Sequence, residues 1–69
     1  MLNVIRMEDR EGVNSGRTVV ASFDTQNAAE EKAKSLSEEF KHNGFRGERK
    51  YYWGRNDEGP KFIFFVAGG

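Results

Sequence analysis

Phe62-Ile63-Phe64-Phe65-Val66-Ala67 is apolar at six consecutive positions, so an extended chain here carries large side chains on both faces at once. A strand of that kind is usually central, because an edge strand or a solvated face would show polar alternation. The rest of the chain must therefore supply a neighbour on each side and a layer packed across. At 69 residues there is room for one domain with one core, spanning residues 1–69, near the lower size at which a chain folds alone. Cysteine is absent, which removes disulfides and thiolate metal sites and leaves packing as the source of stability.

The remaining elements follow from local pattern. Residues 2–7 are rich in Leu, Val and Ile and read as a first strand. Residues 8–16 form a polar loop with Gly12 and Gly16 as turn residues. Residues 17–23 give a second strand with Val19, Ala21 and Phe23 facing inward. Asp24 and Thr25 are both suitable N-caps, Asn27 and Glu30 have capping-box spacing, and Ala29, Ala33, Leu36 and Phe40 form one apolar stripe. Gly44 is expected to end that helix as a left-handed C′ residue, with Phe45 touching Phe40. Residues 48–53 then make a third strand, residues 54–60 a loop, and residues 61–67 the fourth strand.

The expected fold class is α+β. A four-stranded, mostly antiparallel sheet carries one helix across it in the order β-β-α-β-β, a two-layer sandwich that resembles the β-grasp arrangement with the last strand parallel to the first. Other α+β strand orders remain open at this stage, because registers cannot be read from sequence.

Charge and motif exclude several functions. The single histidine, His42, stands near the expected helix C-terminus, where the dipole favours a cation and a capping or surface role suffices. No Ser or Thr occupies a nucleophile turn, and the pairs Glu30-Glu31 and Glu38-Glu39 look like a solvated helix face. Catalysis is not expected, nor a cofactor, and Asp57, Glu58 and His42 lack a recognised metal spacing. Residues 1–5 run into Arg6 and acidic residues, which is neither a signal-peptide core nor a membrane span, so the expected location is cytoplasmic with no membrane partner.

Residues 1–40 carry five Lys/Arg against eight Asp/Glu, net −3, whereas residues 41–69 carry six against three, net +3. Within that basic end, residues 51–69 hold six of the nine aromatic residues, more than the inner face of two short strands needs. Three readings account for the surplus.

The first is a non-enzymatic module that binds or blocks a protein partner through Tyr52, Trp53, Arg55, Ile63 and Phe65, with Tyr52, Ile63 and Phe65 sharing the face that the helix leaves open. In size and kind this is similar to phage-type inhibitors, anti-CRISPR and other host-modulating proteins among them. Zero formal net charge beside an aromatic patch also allows a homodimer.

The second rests on residues 57–69, where an Asp/Gly turn, an apolar strand and a terminal Gly68-Gly69 resemble the ends of ubiquitin-like sulfur carriers. That resemblance implies a β-grasp fold and an activated Gly69 beside a flexible Gly68. The helix here lacks the carriers' leucine pattern, and the middle segment is shorter.

The third is single-stranded nucleic acid, through Arg46, Arg49, Lys50 and Lys61 interleaved with Tyr51, Tyr52, Trp53, Arg55 and Phe62. Against it, Tyr51 and Trp53 are expected on the face under the helix as core, with Tyr52 and Lys50 on the other. Trp53-Gly54-Arg55 is the tripeptide that names the WGR domain, but that domain's downstream Gly-Gln and helix are absent.

Overall fold

A computed structural model describes residues 1–10 and 13–68, without the side chains of residues 10 and 13–15. Gly12 and Gly69, each given a role above, lie outside the described residues. The elements are β1 (Leu2–Arg10), β2 (Val13–Phe23), α1 (Gln26–Glu38), β3 (His42–Arg46), β4 (Tyr51–Arg55) and β5 (Lys61–Gly68). They form one antiparallel sheet in the order β2-β1-β5-β4-β3 with one helix packed on it. The doubly apolar strand is the central one, as its composition requires.

The fold is α+β, but two expectations change. His42–Arg46 is a strand, so the order is β-β-α-β-β-β. Consequently β5 runs antiparallel to β1, with Leu2 opposite Gly68 and Asp9 opposite Lys61. The two corrections have one cause. Inserting a strand between the helix and the last hairpin inverts the direction of every strand after it, and the parallel pairing of a β-grasp sheet becomes antiparallel.

Thr25 caps the helix, its Oγ1 accepting from the Ala28 N–H at 3.2 Å. Ala29, Ala33 and Ser37, each four residues apart, are buried against the sheet. Their small size lets the helix sit low, and Ser37 satisfies its hydroxyl by donating to the Lys34 carbonyl at 2.7 Å. Val4, Ala29, Ala33 and Phe64 form the core centre, ringed by residues that include Leu2, Phe23, Phe40, Tyr52 and Phe62. The chain leaves the helix through Glu39, not through a glycine, and Asn43 Nδ2 donates to the Phe40 carbonyl at 3.1 Å. Gly44 is a strand residue beside Trp53, and Phe45 packs on Tyr52 (centroids 4.7 Å apart) instead of Phe40.

β2 carries two irregularities against β1. At the first, Val4 faces Ala21 and Ile5 faces Val19, leaving Val20 as the extra residue. Ala21 and Phe23 pack toward the core as expected, but Val19 is turned to the opposite face and is 56% exposed. At the second, Gly16 takes φ +73°, a left-handed conformation that glycine adopts without a Cβ penalty. Each bulge adds right-handed twist to the hairpin.

Candidate functional site: the helix-free face of the sheet

Side chains alternate across a strand, so one contact fixes the rest of β4. Gly54 faces the helix, where a Cβ would lie 3.0 Å from the Ser37 carbonyl oxygen. Tyr52 therefore faces the helix too and packs against the core beside Phe64. Tyr51, Trp53 and Arg55 face away. This reverses the expected parity: Tyr52 does not share the open face with Ile63 and Phe65, and Tyr51 and Trp53 are not the core pair. Phe62 is likewise on the helix side, 5.6 Å from Phe40 between centroids.

The open face is assembled from three central strands. β1 contributes Ile5, Met7 and Asp9, β5 contributes Lys61, Ile63 and Phe65, and β4 contributes Tyr51, Trp53 and Arg55. Ile63 is only 6% exposed although no helix covers it. Met7 and Trp53 flank it in register. Arg17 also lies over this part of the face, its Nε 3.4 Å from Met7 Sδ and its guanidinium 5.4 Å from the Phe65 ring centroid. The Trp53 ring lies across Gly44, close enough that a Cβ there would meet three ring atoms at 2.8–2.9 Å.

Cations surround these rings. A cavity of about 310 Å³ is lined by Arg17, Arg49, Lys50 and Tyr51 over a floor that includes Met7 and Phe65. A second, of about 350 Å³ toward the β3 edge, is lined by Phe45, Arg46, Trp53, Arg55 and Lys61. Neither lining contains a carboxylate among the described residues. Lys61 is paired with Asp9 at 3.3 Å, whereas Arg46, Arg49 and Lys50 form no salt bridge among the described residues. Lys50 has φ +55°, an uncommon conformation for a side chain with a Cβ, at the end of the β3–β4 turn. Of the cations expected to act together, Arg46 and Lys61 border one cavity and Arg49 and Lys50 the other. Arg17 was outside every sequence-based set. The only signal for it was its position at the start of the expected second strand, and alternation along β2 places it with Val19 on the helix-free side.

The histidine lies elsewhere in role and in contacts. His42 opens β3 instead of ending the helix, and its Nε2 is 2.8 Å from Asp57 Oδ1. Lys41 Nζ bonds the other oxygen, and the Lys41 N–H donates to Asn56 Oδ1 at 3.1 Å. Hydrogen bonds from Lys41 and then His42 hold the Asp57 carboxyl below its ordinary value. These contacts pin the β4–β5 loop to the start of β3. No group of three or more His, Cys, Asp or Glu able to hold a metal occurs among the described residues. No helix among them is long and apolar enough to cross a membrane. Gly68, the tail residue of the carrier reading, is paired with Leu2 in the β1–β5 ladder.

Searches of family models, curated proteins and solved structures gave no match for this chain.

Proposed function

We propose that this protein is a non-enzymatic module that binds single-stranded nucleic acid on the helix-free face of its sheet. The observation that carries the reading is the joint placement of Tyr51, Trp53 and Phe65 with Arg17, Arg46, Arg49, Lys50 and Arg55 around two cavities that no carboxylate of the described residues lines. Bases stack on exposed aromatic rings for about 1–3 kcal/mol each, and unpaired cations meet the phosphates between them. Zero net charge does not oppose this, because Arg17, Arg46, Arg49, Lys50 and Arg55 line these two cavities while Glu30, Glu31 and Glu38 belong to α1 on the other side of the sheet.

The lone tryptophan reports the event. Titrating a dodecamer of mixed sequence at low salt should quench Trp53, and the affinity should fall with salt. Four phosphate contacts give a slope of about −3 in log K against log salt, at about −0.7 per phosphate for a single strand. Unchanged Trp53 emission at high micromolar oligonucleotide would sink the reading. It would return the face to a protein partner engaging Trp53, Arg55 and Phe65, the residues of the first sequence reading that remain on this side and are not buried.

A further inference from the structure

β4 begins at Tyr51, and its ladder with β5 ends at Tyr52 opposite Phe64. β5 continues to Gly68, paired from Phe65 onward with β1 alone. Alternate N–H and C=O groups of residues 66–68 therefore point away from β1 into a notch that no strand of the described residues fills. The notch opens on both faces. On the helix-free side it is the 310 Å³ cavity with Arg49 and Lys50 at its rim, and on the helix side it is a smaller cavity of about 100 Å³ bordered by Gln26 and Glu30. Lys50, Phe65 and Val66 line both.

We propose that this notch takes one amine-bearing base, cytosine, adenine or guanine, out of the bound strand. This deepens the single-strand reading and rests on it. Phe65 and Tyr51 offer ring surface to the base, and Arg49 and Lys50 stand where its phosphate would lie. The free edge of β5 offers backbone donors and acceptors to the base edge. Glu30 supplies selectivity. A carboxylate accepts from an exocyclic amine but meets the O4 of thymine as acceptor against acceptor, so thymine is disfavoured. The left-handed Lys50 fits this role, since a residue held in a sparsely populated conformation beside a cavity is a recurrent feature of ligand clamps.

The test compares tetranucleotides of dC and of dT by Trp53 quenching, with the backbone amides of residues 66–68 followed by NMR. Expected for the wild type are about five- to tenfold tighter binding of dC than dT and saturable shifts of those amides with dC. Glu30→Gln should abolish the preference, because the exposed helix position tolerates the amide without unfolding. Lys50→Gly, which relieves the backbone, should weaken both ligands about threefold, the loss of one phosphate contact. Equal affinities, a preference that survives Glu30→Gln, or silent amides would each overturn the notch while quenching of Trp53 left the sheet-face reading intact. No Trp53 response to either oligonucleotide would remove both. Saturable shifts of the same amides by a glutamate-rich hexapeptide would assign the edge to an added peptide strand and overturn the proposal as well.

Discussion

Replacing Gly54 by alanine tests the most tightly packed glycine among the described residues. The added methyl would sit 2.5 Å from Phe40 Cδ2, 2.9 Å from Phe40 Cγ and 3.0 Å from the Ser37 carbonyl oxygen. Carbon atoms prefer about 3.5–4.0 Å, so the ring must retreat by about 1 Å or more. Any retreat gives up its contacts with Phe62 and Phe64, whose ring centroids lie 5.6 Å and 6.0 Å from its own, for the cavity of about 320 Å³ that it also borders. The carbonyl belongs to the helix backbone and cannot rotate aside. Overpacking of this kind costs about 1–3 kcal/mol. The stiffer unfolded chain of alanine returns about 0.4–1 kcal/mol. A net loss of about 1–2 kcal/mol is a large share of the roughly 3–10 kcal/mol expected of a domain this size. Thermal melts followed by far-UV circular dichroism should show Tm lowered by about 5–15 °C, and urea melts a lower midpoint at unchanged slope. A cycle with Phe40→Leu apportions the effect. If the clash is with the ring, the double variant loses less than the sum of the singles by at least about 0.5 kcal/mol. A Gly54→Ala protein as stable as the wild type, or strict additivity in the cycle, would refute the account.

Other positions make separable claims. Gly44→Ala should lift the Trp53 ring, shifting its emission to longer wavelength and costing about 1–2 kcal/mol; unchanged emission would mean that the ring does not rest on Gly44. Lys50→Gly should raise stability by about 0.5–1 kcal/mol by removing the left-handed strain, and a fall in urea midpoint would contradict it. Arg17→Ala should expose Met7 and Ile63, seen as dye binding by the folded protein at a temperature where the wild type binds none. For Asp57 the folded pKa lies below the ordinary 3.8. Its tie to Lys41 and His42 is thus fully present above the unfolded value and is lost as pH falls through the lower, folded one. The stability gap between wild type and Asp57→Asn should be flat from about pH 5 to pH 6 and close below about pH 3.8; a gap that persists into stronger acid would show that Asp57 contributes by another route.

What could be read from the residues was whatever a single segment specifies by itself. The six apolar positions of β5 required a central strand, and Thr25 with the alanine stripe specified the helix and its buried side. β3 was not legible, because His42-Asn43-Gly44-Phe45-Arg46 has no alternation and contains residues uncommon in strands. It is held from outside, by Trp53 across Gly44, Tyr52 against Phe45 and the Asp57 tie to His42. Val19 was misplaced for a related reason. A bulge depends on the partner strand, and nothing within residues 17–23 announces that Val20 is the extra residue.

Besides the missed Arg17, the candidate site failed to read correctly in the parity of β4, and that failure is instructive. Tyr51-Tyr52-Trp53 is aromatic at three successive positions, so its own pattern cannot say which ring faces the helix. Gly54 decides it. A helix lowered onto the sheet by Ala29, Ala33 and Ser37 leaves no space for a Cβ at the strand position beneath Ser37, and glycine is the residue that fits there. With Gly54 toward the helix, alternation sends Tyr52 the same way and forces Tyr51, Trp53 and Arg55 to the opposite face. The glycine that allows close packing thereby also sets which aromatics and which cation the open face presents. Core and site are coupled through one register. A change that slipped β4 by one residue would bury Trp53 and Arg55 under the helix and expose Tyr52, so the register, more than any single ring, is what the binding surface depends on.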